Sequence, residues 1–410
     1  MEKKASLGSL FFVVFLDLLG IGIIIPILPL VFYETSLLPA GTSTATIDIL
    51  LCLLIASYPF AQFFGAPILG AVADKHGRKP VLLLSLAGAA IGYGLFGLGL
   101  VIGSVALLFF SRMLAGFMAG NLAVVKAIIA DTSDHKSRVK NFGMIGMAFG
   151  LGFILGPFLG GVLANPNLVS WFSPSTPFWF ATLLLVINII FVYFNIKETL
   201  VTPSHIRITP WTGFINIRRA FSMPTINVVF LSFFLWIFGF SFFTQFFPVY
   251  LHDKYGATPS QIGMIFAYMG IWIAFAQGVF VRPFAEHFKP ASILKFTILF
   301  SSLLVLSMAF PTALWMLYFL FPFMALNNGL THPNFSALFS IHATKESQGE
   351  IMGIEQSLTS LAMTIPAVIA GFAISFGTSL VLYLGSFFVF LAWLVFVLKY
   401  KETREKFNEV

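Results

Sequence analysis

Four residues set in apolar surroundings can carry proton chemistry: Asp17, Arg112, His332 and Glu355. Asp17 stands inside LGSLFFVVFLDLLGIGIIIPILPLVFY, the run from Leu7 to Tyr33. An ionised carboxylate at mid-bilayer costs about 2.5–3.5 kcal/mol on insertion scales. A span keeps such a group when a buried cation, a water-filled cavity or a proton offsets the cost. Each of these belongs to a device that moves solutes or protons. Arg112 does not lose its proton, so Asp17 is the titrating member of any pair between them. Depth makes that pair feasible. At about 1.5 Å per residue, Asp17 lies about 15 Å from one end of its span, and Arg112 about 11–12 Å from the opposite end of its own. In a core about 30 Å thick the two nearly coincide. Protonating Asp17 then frees Arg112, and a solute can compete for either. The plainer alternative is a static structural pair.

Further along the chain, Glu355 and His332 offer a second proton relay. Set against it is the reading of two side chains hydrated near one membrane edge. Asn121, Gln245, Tyr268, Trp272, Asn327 and Asn328 are candidates to line a substrate cavity, with Gln261 and Gln277 beside them. No HExxH, GxSxG, Walker loop or Cys/His metal cluster occurs in the sequence. The expectation is therefore no enzyme, no cofactor and no metal site. Energy must come from an ion gradient or from the solute's own gradient.

The elements that hold these residues are membrane spans. The chain is 58% hydrophobic and only 10% charged, against about 25% charged in soluble domains. Mean hydropathy is +0.95. A span needs about 20 mostly apolar residues. Candidate spans fall at 7–33, 47–73, 80–102, 105–130, 139–164, 176–195, 223–251, 259–284, 290–310, 312–341, 348–376 and 378–399. The first holds Asp17, Pro26 and Pro29, shows no clear cleavage site, and reads as a retained span rather than a leader. The single cysteine, Cys52, excludes an intrachain disulfide.

Lys and Arg set the orientation. With the N-terminus in the cytoplasm, that side collects Lys75, Arg78, Lys79, Lys136, Arg138, Lys140, Arg218, Arg219 and the C-terminal basic residues. The other side holds Lys254. Both termini are then cytoplasmic, in a cell inner membrane or plasma membrane. The net charge of +7 needs no nucleic acid partner, because basic residues facing anionic lipid account for it.

The longest break divides the chain. The expected organisation is a six-helix bundle over 1–196, a linker over 197–222, a second six-helix bundle over 223–400 and a tail over 401–410. The halves look like a repeat. One offset carries Gly116, Asn121 and Ala130 onto Gly329, Asn334 and Ala343. Nearby offsets carry Lys79-Pro80 onto Lys289-Pro290 and Pro157 onto Pro366. Repeated halves with a midplane site between them are a transporter architecture.

Motifs sharpen this. Gly70, Asp74, Gly77, Arg78 and Lys79, between spans 2 and 3, resemble the signature of the major facilitator superfamily. Leu19-Gly20 and Pro26 to Pro29 resemble the span-1 motif of its twelve-span drug/proton antiporter branch. Arg112 to Gly116 resembles the intramembrane arginine motif, with Ala115 where glutamine is common. Gly152, Gly156, Pro157, Gly160 and Gly161 resemble the antiporter motif of span 5. The stretch from Asp74 to Gly161 is most similar to bacterial tetracycline/proton antiporters. In the C-terminal half the first signature is degenerate, with Phe284 in the place of Asp74.

The resemblance implies an all-α integral membrane protein with twelve transmembrane helices in two pseudo-symmetric six-helix bundles. It implies a proton-coupled multi-pass exporter of amphipathic small molecules or drugs, acting by alternating access and as a monomer. Its partners would be a small-molecule substrate, protons and lipid. An importer of a nutrient or metabolite on the same fold is the alternative, and an intramembrane enzyme a distant one. Asp74 is expected to pair with Arg78 and face the positive end of span 11, as a cytoplasmic latch. Gly70 is expected to permit close helix approach, and the span-5 glycines a smooth packing face bent at Pro157.

Overall fold

The computed structural model describes residues 7–28, 30–33, 37–39, 41–132, 148, 151–152, 155–200, 209, 211–224, 226–276, 279, 283–284, 287–342 and 348–400. The expected tail, Gln277 and much of the fifth expected span lie outside the described residues. What is described is helical throughout: α1 (Leu7–Ile24), α2 (Leu30–Tyr33), α3 (Thr44–His76), α4 (Arg78–Ile102), α5 (Val105–Phe117), α6 (Asn121–Thr132), α7 (Thr176–Asn195), α8 (Thr212–Ser222), α9 (Asn227–Tyr255), α10 (Pro259–Phe275), α11 (Pro290–Ser307), α12 (Leu314–His342), α13 (Gln348–Ala373) and α14 (Thr378–Lys399). Among the described residues, seven helices are long and apolar enough to cross a membrane.

Local chemistry fixes the ends. Ser43 caps α3 by accepting from the Thr46 N–H. Gly77, at φ 113°, lets the chain reverse between α3 and α4, where a side chain would be strained. Thr258 and Gln261 form a capping box at the start of α10. Gln261 is thereby a capping residue rather than a cavity residue.

One expected span is broken. The run over 105–130 is two helices, α5 and α6, joined by a turn at Met118, Ala119 and Gly120. Gly120 is pressed against α3, where a Cβ would lie 2.7 Å from that of Leu69. Irregular backbone at membrane depth is tolerated when protein buries it.

Two apolar cores follow the two halves. The first joins α1 to α7, with additions from α9, α13 and α14. The second runs from Ala220 of α8 onward and is rich in phenylalanine, including Phe230, Phe233, Phe247, Phe321 and Phe335. The halves meet where α3 packs lengthwise on α13. Lys75, Arg78 and Lys79 lie where α3 passes into α4, and α8, which carries Arg218 and Arg219, packs on α3. That end of the bundle is called the basic face below.

Candidate functional site

Asp17 is buried in α1, 9% exposed. Its carboxylate accepts a 2.6 Å hydrogen bond from Nδ2 of Asn121. Asn121 is the first residue of α6, so the carboxylate sits at a helix N-terminus created by the α5–α6 break. The partial positive charge of that end favours an anion. A void of about 10 Å³ adjoins the pair, lined by Val13, Val14, Leu86 and Val125. That is close to the space one water occupies. Leu86 belongs to α4, so Asp17 points into its own bundle, between α1, α4 and α6.

The ion pair anticipated from depth is not formed. Asp17 is bonded to Asn121, and Arg112 on α5 lies with its guanidinium 4.6 Å from the centre of the Tyr58 ring on α3. Its Nε is buried without a hydrogen-bond partner. A desolvated cation–π contact of this kind contributes about 2 kcal/mol. Depth matched the two charges, but helix rotation turned them to different neighbours.

The span-5 glycines are contact points. A Cβ on Gly152 would lie 2.8 Å from that of Leu18, and one on Gly156 would lie 2.7 Å from the Gly22 Cα. Gly160 meets the backbone of Ile23, again on the α1 strand of chain. Gly161 faces the other half instead, 2.7 Å from the Pro259 carbonyl oxygen by the same measure. Gly263 of α10 in turn abuts the carbonyl of Pro157. The motif therefore joins α1 on one side and the second half on the other.

Further cross-half contacts lie toward the end away from the basic face. Gly371 of α13 packs on Cys52 of α3. The Tyr33 ring stacks on His252, with centroids 5.8 Å apart, while its hydroxyl donates to the Asp48 carboxylate. At the same end, within the second half, Thr378 donates to Asp253 at 2.8 Å. Nearer the middle, Ser360 donates to Gln62 at 3.4 Å.

At the basic face, Asp74 pairs with Arg78 one turn on. A Cβ on Gly70 would meet nothing within 4 Å, so the close approach expected there is not made in this conformation. A residue without a motif completes the corner. Glu198, just beyond α7, accepts from the N–H groups of Arg78 (2.9 Å) and Lys79 (3.1 Å) at the start of α4. It also accepts from Thr199 and Leu200. Partial burial opposes its charge, but these four donors outweigh it and hold the carboxyl below the usual glutamate range. Gly77 is needed twice here, since a Cβ would also lie 2.5 Å from Glu198 Oε2. Lys79 reaches the Tyr193 carbonyl at 2.7 Å.

The polar residues of the second half scatter. Glu355 is buried in α13, with Ser336 of α12 at 3.5 Å. His332 is exposed beside the edges of Phe233 and Trp236. Gln245 donates to the Met363 carbonyl at 3.0 Å, tying α9 to α13. Tyr268 and Trp272 are half-buried in an aromatic group with Tyr318. Asn327 donates to Ser301 between α11 and α12, and Asn328 is half-buried. Sequence reading passed over Tyr58, Asp48, Asn216 and the capping role of Glu198. Asp48 carried a signal, as a carboxylate within the second apolar run. The others become visible through contacts distant in the chain.

Helices with a buried carboxylate, glycine-faced seams and two packed halves define a multi-pass membrane transporter. The sequence profile of the Major Facilitator Superfamily matches residues 10–366, and the chain belongs to that family. It is therefore a secondary transporter and not an enzyme. It is 29% identical over 375 residues to the tetracycline resistance protein, class C, of Escherichia coli, covering 90% of each chain. It is 28% identical over 407 residues to the quinolone resistance protein NorA of Staphylococcus aureus, covering 98% of this chain and 97% of that one. The human organic anion transporter MFSD10 (TETRAN) superposes with a TM-score of 0.74 at 23% identity, over 95% of this chain and 98% of that one. That likeness concerns the fold.

Proposed function

We propose that this chain exports amphipathic small molecules in exchange for protons, with its basic face in the cytoplasm. The observation that carries the reading is Asp17, a buried carboxylate whose partner is the neutral amide of Asn121. Among the described residues no fixed cation is paired with it, so a proton is the species that neutralises it. The charge change acts at the α5–α6 break, one helix turn from the residues that face α3. Arg112 follows that movement through α5 while resting on Tyr58 of α3. Proton and substrate then need not share atoms, because the proton site lies within one bundle. The two resistance proteins to which the chain is similar support a drug-like substrate class. The Lys and Arg distribution supports the sidedness.

Proteoliposomes with an imposed pH gradient test this, using a tetracycline and a quinolone as probes. Probe flux should run against the proton flux and stop when a protonophore collapses the gradient. Asp17→Asn keeps the size of the side chain and an oxygen for Asn121. It should insert normally yet lose gradient-driven flux. Flux indifferent to loss of both pH gradient and voltage rules out proton coupling. Flux in the same direction as the protons favours the importer.

A further inference from the structure

Between the two halves runs α8, an element that no motif explains. Its buried residues are Gly213, Asn216 and Ala220, a small and polar stripe at helical spacing. The stripe rests on both halves. Gly213 packs against the Phe63 ring of α3. Asn216 donates to the Gly353 carbonyl at 3.3 Å and to Ser357 at 3.1 Å, both on α13. The helix is thus strapped across α3 and α13, the pair that joins the two bundles.

Its other faces are the reverse of a soluble helix. Trp211, just before it, is 65% exposed, and Phe214, Ile215 and Phe221 are exposed as well. Phe214 continues an aromatic ridge on α3: its ring is 5.0 Å from Phe63 and 6.1 Å from Phe64, and Phe64 is 5.4 Å from the exposed Phe60. Phe60 lies on a membrane-crossing helix, so the ridge faces acyl chains. Arg218 and Arg219 are exposed on the same short helix. Exposed aromatics beside arginines mark a helix lying in the membrane interface, with its cations among anionic headgroups. Each basic residue near an anionic surface contributes about 1 kcal/mol.

We infer that α8 is a lipid-reading strap. Its arginines and exposed aromatics bind anionic phospholipid at the basic face, and Asn216 transmits that binding to α13. The occupant is lipid rather than a protein, because the apolar belt is continuous with the surface of a membrane-crossing helix. With α8 held in the interface, the basic-face ends of α3 and α13 stay strapped. The strap is in place here while the space beside Gly70 is open, so lipid binding favours the open basic face, and in a neutral membrane the strap loosens and that face closes more readily.

Brominated lipids quench tryptophan on contact, which gives a direct test needing no substrate. The full chain is placed in nanodiscs carrying equal fractions of brominated phosphatidylglycerol or brominated phosphatidylcholine. Quenching should be stronger with phosphatidylglycerol, by about twofold. The excess should vanish in Trp211→Phe, which identifies the reporter. In the Arg218→Gln/Arg219→Gln double variant, quenching should become equal for the two lipids. Equal quenching in the wild type, or an excess that survives the double substitution, overturns the lipid site. A second readout tests transmission. Gly70→Cys, at a position with open space for a side chain, is labelled with an impermeant maleimide in a Cys52→Ala background. Labelling should be faster in phosphatidylglycerol, and Asn216→Ala should abolish that difference while keeping the quenching excess. Labelling equal in both lipids overturns the strap. None of these readouts depends on protons, so they remain interpretable should proton coupling fail.

Discussion

At the residue scale, the two carboxylates Asp17 and Glu198 show how environment assigns opposite tasks. Asp17 is buried with one amide donor, and in the proposed function a mobile proton settles its charge. Glu198 has four backbone donors, and its charge is fixed. It caps α4 from a distance and closes the corner where α3, α4 and α7 end. Its value in the folded chain is depressed below the ordinary 4.5. The stabilisation from its ionised form is therefore complete above that value and is lost as the pH falls through the lower folded one. Glu198→Gln replaces one acceptor oxygen by an NH2 group that faces N–H donors. The variant should melt below the wild type at pH 7, and the gap should narrow as the pH falls below the ordinary glutamate value and close below the lower folded one. Thermal melts in detergent across that range supply the check. A gap that persists unchanged at acidic pH means the carboxylate charge is not what holds the corner.

At the element scale, the glycines of the fifth span separate two kinds of position that look alike in sequence. Gly156 is pressed on Gly22, and both partners are backbone, so neither can yield like a flexible side chain. Gly70 faces open space. Gly156→Val should therefore cost about 1–3 kcal/mol through overpacking. Gly70→Ala should be neutral or stabilising by about 0.5–1 kcal/mol, from the helix preference for alanine. Melting temperatures of the two variants decide it, and equal behaviour would mean that neither position is set by close approach. The spacing of Gly152, Gly156 and Gly160 made their shared face legible, since one residue in four repeats along a helix side. The spans were legible too, from apolar runs of bilayer length. The α5–α6 break was not. Met118, Ala119 and Gly120 are as apolar as their neighbours, and no proline marks the turn. The partner of Asp17 was hidden for a related reason. Hydropathy gives depth along the membrane, but the choice between Asn121 and Arg112 depends on helix rotation, which that turn resets.

At the scale of the whole molecule, the contacts between halves define a conformation. Away from the basic face, α3 meets α13 at Cys52 and Gly371, Gly161 meets Pro259, and Tyr33 meets His252. Toward the basic face, Gly70 stands beside open space. The end opposite the basic face is closed. If the halves rock about a central site, these closed contacts must separate once per cycle. The Cys52 contact allows a reversible lock. A Cβ at position 371 would lie 3.1 Å from the Cβ of Cys52, a few tenths of an ångström short of the usual disulfide range of about 3.5–4.5 Å. Gly371→Cys should therefore cross-link to Cys52 under mild oxidation, with a small shift of α13. The cross-link joins the two halves, so protease cleavage within the linker should leave the fragments together on a non-reducing gel. Transport of whichever probe the protein moves should stop in the oxidised variant and return on reduction. The single variants Gly371→Ser and Cys52→Ala should not respond to oxidant. Full transport through the locked pair would mean that α3 and α13 never part at that end, and that the halves exchange access by another motion.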